Sequence, residues 1–233
     1  MVDDSFEEPT PPTPWLRRRP IQLGIGALLV FGAFTVACPS FHTPSGSMMP
    51  TLRHGDHFLV DRFAYSVWAE VERGDLVVFR APMDRSQLFF KRVIGLPGDA
   101  VTVEGREVRI TPAGTGEARV IAQQELSEPC WSEAAALDPS QCTLFREQVD
   151  GRSYTVRYRR ISEERYPTPP QTWSVPEGHV FVLGDNRNDS LDSRQFSTDV
   201  SGEPVPAPFV PLEDVIGEVS TIWWPPTRAR TID

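Results

Sequence analysis

Lysine, histidine and cysteine are all scarce in this chain, and each scarcity removes a class of chemistry. Among 233 residues there are four histidines, three cysteines and a single lysine; the other basic positions are arginine. His42, His54, His57 and His179 sit in no context that pairs one of them with an acid and a serine, so a histidine-based triad is not indicated. His54 and His57 flank a Gly-Asp turn and lack the glutamate and third ligand of a zinc site. The cysteine spacing has no metal pattern either. Basic runs never exceed three residues and the net charge is −9, so a nucleic-acid surface is excluded too.

Proline and glycine are plentiful, 23 and 16 residues. That suits many short strands joined by turns better than a helical bundle, and predicts a mainly β chain. Residues 1–14 are acidic and proline-rich, too poor in apolar content to fold alone. The one long apolar run follows. From Ile21 to Cys38 no charge interrupts the chain, about the length that crosses most of a bilayer core. Arg17, Arg18 and Arg19 stand before it and no such cluster after it, which orients the preceding residues to the cytosol. A cleaved secretory signal is the rival reading. The run is longer than a usual signal core, and Pro39 lies where cleavage would fall; both favour an uncleaved anchor.

The expected organisation is therefore a flexible cytosolic tail (1–19), a transmembrane helix (20–39) and an exported body. Strand-like stretches with Gly-Asp and Pro-Gly turns fill 54–65, 73–82 and 88–110. From about 112 to 172 charge rises and periodicity weakens, although "SYTVRYRRI" is another plausible strand. We expect an antiparallel β core from 40–105 and 173–233 and an inserted β-rich subdomain over 106–172. An exported location agrees with Cys130 and Cys142, which close a short loop and either form a disulfide or remain two thiols. Trp223 and Trp224 suit either a membrane interface or core packing.

Three short stretches carry candidate chemistry. "TPSGSMMPTL" (43–52) begins a few residues after the apolar run, and its Pro-Ser-Gly-Ser turn can present the Ser47 hydroxyl beside backbone N–H groups. Lys91, in "LFFKRVIG", shares one strand face with Phe89 and Val93 while Arg92 shares the other with Phe90 and Ile94. With both faces apolar, burial would push the lysine amine down toward neutrality and make it a base, a role no arginine can fill. The loop "GDNRNDSLDSR" (184–194) fails as a calcium site, because Arg187 and Ser190 occupy ligand and turn-glycine positions. It reads instead as a hydrogen-bonded ion-pair platform.

Together the blocks 44–52, 55–65, 73–82, 90–99 and 184–194 resemble, in order, those of bacterial type I signal peptidases, membrane-bound serine proteases with a Ser/Lys pair. The resemblance implies Ser47 as nucleophile and Lys91 as general base, with Ser45 joining the Ser47 backbone N–H in an oxyanion hole. Ser190 corresponds to a hydroxyl that orients the lysine. Asp185, Asp192, Arg194 and Arg92 correspond to a supporting ion-pair network, and Met48 to a residue shaping the substrate pocket. It further implies an enzyme of the bacterial cytoplasmic membrane, its body on the exported face, cutting exported preproteins after small residues, with no cofactor or metal. Beyond Arg194 the family's glycine is missing and a proline-rich stretch intervenes. The alternatives are a relative devoted to one pilus or conjugation substrate and a catalytically silent, membrane-tethered binding protein.

Overall fold

A computed structural model describes residues 38–65, 69–130, 142–159, 169–200 and 203–232. The expected tail and nearly all of the expected anchor lie outside these residues. Among the described ones, no helix is long and apolar enough to cross a membrane.

Strands dominate. In chain order they are β1 (Ser40–His42), β2 (His57–Asp61), β3 (Leu76–Ala81), β4 (Asp84–Gly95), β5 (Ala100–Glu104) and β6 (Glu107–Thr111). Then come β7 (Arg119–Val120), β8 (Ala122–Leu126), β9 (Cys142–Val149), β10 (Arg152–Arg159) and β11 (Gln171–Ser174). The last are β12 (His179–Leu183), β13 (Ser197–Val200), β14 (Glu203–Pro206), β15 (Val210–Pro211), β16 (Val215–Trp224) and β17 (Arg230–Thr231). Helical structure among the described residues is confined to two 3-10 turns, Leu212–Asp214 and Pro226–Arg228. The mainly β, antiparallel expectation holds.

The large sheet runs β1-β2-β16-β3-β4-β12-β15, with β17 added to β16, and all its pairings are antiparallel. Strand β3, inside it, is apolar on both faces because both are covered. Leu76 and Val78 of β3 enter one cluster with Met48, Phe58, Phe90 and Ile222, whereas Val77 and Phe79 enter another with Val93, Val182 and Phe196. That is period-two alternation with no polar side. Gly74, at φ +94°, makes the left-handed turn into β3 that a residue with a Cβ would resist.

A second sheet, β11-β5-β6-β7, and a third, β10-β9-β8, stand beside the first. Ile94, Phe181 and Leu183 of the large sheet share one core cluster with Val101, Ile110, Phe145 and Val156. Strand β6, from the 106–172 segment, pairs with β5 over Ala100↔Thr111, and β5 pairs in turn with β11. Cys130 and Cys142 are disulfide-bonded, Cα atoms 5.8 Å apart, and Cys38 is free. Closing a loop of that size stabilises by about 3 kcal/mol. In the proline-rich stretch after Arg194, β13 and β14 pair antiparallel as a separate two-stranded sheet.

Candidate active site

The nucleophile candidate sits on a run of turns between β1 and β2. Met49 N–H donates to Gly46 O at 3.1 Å and Leu52 N–H to Met48 O at 3.0 Å. Met48 and Leu52 are fully buried in the core, so the turn is rooted from below while Ser47 stays partly exposed. No acceptor meets the Ser47 N–H among the described residues.

Strand β4 brings Lys91 to that hydroxyl across 44 residues of sequence: Nζ lies 3.0 Å from Ser47 Oγ and 2.9 Å from Phe90 O. Ser45 Oγ lies 3.3 Å from Ser47 Oγ. Lys91 is 3% exposed, and its ammonium position is 5.2 Å from the Phe89 ring centre. Burial pushes the amine down to about 8; the charges of Asp192 and Asp185 oppose the fall and Arg194 adds to it.

Behind the dyad, residues 184–194 contribute to three buried ion pairs. Asp185 grips Arg92 with both oxygens, at 2.8 and 2.7 Å, and accepts from Thr51 Oγ1 at 2.6 Å. Arg92 also donates to Gly74 O at 2.6 Å and stacks 4.0 Å above Tyr154. Asp192 takes Arg194 Nε at 2.8 Å and Nη2 at 2.7 Å, plus the Gly184 N–H at 3.0 Å. Burial alone would raise the Asp192 carboxyl, but Arg194 and the Gly184 N–H outweigh it and hold it below the usual range. The third pair, Arg187 with Glu147, reaches into β9, and Arg187 Nη1 also donates to Tyr158 OH at 2.9 Å. Backbone bonds from Arg157 N to Asp185 O (2.8 Å) and Arg187 N to Arg157 O (3.0 Å) lay the loop along β10.

In front of the dyad opens a cleft of about 770 Å³, lined by Ser45, Ser47, Met49, Phe89, Lys91 and Leu191 among others. One wall is a strand edge. Strand β4 pairs with β3 from Leu88 to Arg92 and again at Asp84, but with β12 only from Arg92 onward, so among the described residues 84–91 have no strand on the second side.

A buried amine held against a serine hydroxyl at the end of such a cleft is the arrangement of a Ser/Lys peptidase. The family model described as "Signal peptidase, peptidase S26" matches residues 16–224. The chain belongs to this family. It is 33% identical over 218 residues to signal peptidase I of Pseudomonas aeruginosa, covering 88% of this chain and 71% of that one. Signal peptidase I of Pseudomonas fluorescens is 33% identical over 216 residues, covering 85% and 69%. That of Buchnera aphidicola is 28% identical over 236 residues, covering 84% and 73%.

Within this signal peptidase, the residues singled out from sequence lie in different relations to the dyad. Ser45, Ser47 and Lys91 form one hydrogen-bonded group. Arg92, Asp185, Asp192 and Arg194 form two separate pairs. Ser190 Oγ is buried and meets no partner among the described residues, although Ser190 packs so tightly on Gly184 that a Cβ there would come within 2.1 Å of its hydroxyl. Met48 is in the core, and the methionine that lines the cleft is its neighbour Met49. No histidine lines the cleft, and no group of three metal-binding side chains occurs among the described residues. Sequence reasoning missed Gly184, Asn186 and the Arg187–Glu147 pair. Gly184, Asn186 and Arg187 stood in a loop already noted as unusual; Glu147 gave no signal, since nothing local marks a glutamate in "TLFREQV" as buried.

Proposed function

We propose that Ser47 is the nucleophile and Lys91 the general base with which this signal peptidase removes leaders from exported preproteins. The observation that supports it is the 3.0 Å approach of Lys91 Nζ to Ser47 Oγ at the inner end of an open strand edge. The substrate adds as an extended strand along residues 84–91 of β4, which delivers a peptide bond to Ser47. With its amine near 8, about a tenth of Lys91 is neutral at pH 7, and a substrate that displaces water from the cleft increases that share. The neutral amine takes the Ser47 proton as the oxygen attacks the scissile carbonyl. The oxyanion is met by the Ser47 N–H and the Ser45 hydroxyl. Lys91 then passes the proton to the leaving amine, and water, deprotonated by the same lysine, hydrolyses the acyl-enzyme.

The chain is anchored by residues 20–39 with its amino terminus in the cytosol, as charge and hydropathy predict. Trp223 and Trp224 are 45% and 49% exposed, and Trp223 donates to Ser40 Oγ at 2.8 Å. Trp223 therefore stands beside the first residues after the anchor, and the exposed pair serves as interface residues. The test is cleavage of a leader-bearing preprotein by the detergent-solubilised protein, with the new amino terminus sequenced. Ser47→Ala and Lys91→Ala must each abolish the cut; near-normal cleavage by either variant overturns the assignment.

A further inference from the structure

Resting on the assignment of Ser47 as nucleophile, we infer that Asn186 is a positioning residue: it anchors the Gly46 carbonyl and thereby aims the Ser47 N–H at the oxyanion. The Gly46–Ser47 bond is trans, and in a planar trans peptide the C=O and the following N–H point in opposite directions. Whatever holds Gly46 O therefore sets where the Ser47 N–H points.

Two donors hold it. Asn186 Nδ2 reaches Gly46 O at 2.9 Å, and the Met49 N–H reaches it at 3.1 Å within the turn. The next peptide plane is held from the same residue, since Asn186 N–H donates to Ser47 O at 3.0 Å. Asn186 thus grips consecutive carbonyls on either side of the nucleophile and leaves the N–H between them without an acceptor among the described residues. An unsatisfied N–H at a site that binds a developing negative charge is a donor kept for the transition state.

The identity of the side chain follows from the same contacts. Gly46 O is an acceptor, so the Asn186 atom facing it must be the amide nitrogen, and the Oδ1 atom is left buried with no partner among the described residues. An aspartate would turn an oxygen toward Gly46 O and repel it. Asn186 is itself held by the strand it lies on: it makes a parallel bridge with Arg157 of β10, and its neighbours Asp185 and Arg187 bond to the Arg157 backbone. The β10-β9-β8 sheet in this way positions the oxyanion donor.

Because Met49 N–H still holds Gly46 O after the amide is removed, the effect is partial. Asn186→Ala is expected to lower kcat about ten- to hundredfold, less than deleting a donor outright, with KM within about twofold. Asn186→Asp is expected to lose at least as much, and Asn186→Ala keeps the acidic limb of the pH profile where the parent has it. A peptide aldehyde, which forms a tetrahedral adduct with Ser47, must weaken by the same factor as kcat, while the corresponding peptide alcohol changes less than twofold. In the unmodified enzyme, the Ser47 amide proton must move downfield when the aldehyde binds. The inference fails if kcat stays within twofold of the parent, if aldehyde and alcohol weaken in parallel, or if the Ser47 amide does not respond. Ser47→Ala, run alongside, separates this failure from failure of the dyad: cleavage lost there but kept in Asn186→Ala sinks only the role of the asparagine.

Discussion

Because Lys91 is the only lysine, its titration can be read on the intact protein without deconvolution. Burial pushes the amine from the usual 10.5 to about 8, and at 1.36 kcal/mol per pH unit holding it charged inside costs about 3 kcal/mol. Asp192 and Asp185 keep the value from falling further. Competitive acetylation with acetic anhydride across pH 6 to 11, followed by mass mapping of the peptide carrying residue 91, should give a midpoint near 8. The rising acidic limb of kcat/KM should share that midpoint, since only the neutral amine accepts the Ser47 proton. Replacing Asp192 by Asn removes the larger of the two opposing charges and leaves Arg194 uncompensated. Both changes favour the neutral amine, so label and activity should shift together to lower pH. A midpoint near 10.5, or a limb that stays in place when the labelling midpoint moves, would refute the reasoning.

Four further outcomes are expected. Lys91→Met should be inactive yet more stable at pH 7 by up to about 3 kcal/mol in chemical denaturation, because it removes a buried charge. The gain should shrink as pH rises from 8 toward 10.5, where the unfolded parent still binds the proton its folded form has lost; a variant less stable than the parent at pH 7 would contradict this. Gly184→Ala should lose about 1–3 kcal/mol and most activity, as the added Cβ would lie 2.1 Å from Ser190 Oγ and 2.7 Å from Ser47 O; a thermal melt and a cleavage assay decide it. Asp185→Ala strands the Arg92 guanidinium, 1% exposed, and should cost about 3–5 kcal/mol, whereas exposed Glu107→Ala should cost under 1 kcal/mol. Denaturation midpoints that rank these two the other way would be incompatible with the ion-pair account.

Local pattern was enough for much of the fold. The segments expected as strands at 54–65, 73–82 and 88–110 contain β2, β3 and β5 and most of β4 and β6, since alternation and Gly-Asp turns are properties of neighbouring residues. The 112–172 region was harder to read. Strands β8 and β9, "AQQEL" and "CTLFREQV", mix charged and amide residues among apolar ones, and some of those polar side chains find partners across the sheet or beyond it: Gln123 Nε2 to Glu147 Oε1 at 2.8 Å, and Glu147 to Arg187. The same holds for the two methionines. "SMM" shows two equivalent side chains, and only the turn that sends Met48 inward leaves Met49 facing the cleft.

By itself the sequence determined which groups were available: one lysine in an apolar strand, a Ser-Gly-Ser turn after a hydrophobic run, and an acid- and arginine-rich loop. Hydrophobic burial is close to a one-dimensional property, so the lowered affinity of Lys91 for its proton could be argued from its neighbours in the chain. Direction and distance are not one-dimensional. The 3.0 Å approach of Lys91 to Ser47, the pairing of Arg187 with Glu147 and the grip of Asn186 on Gly46 join residues 44, 40 and 140 positions apart. Only the packing of the large sheet and the β10-β9-β8 sheet against one loop decides them, because a hydrogen bond depends on the angle and separation of two atoms that no local pattern specifies.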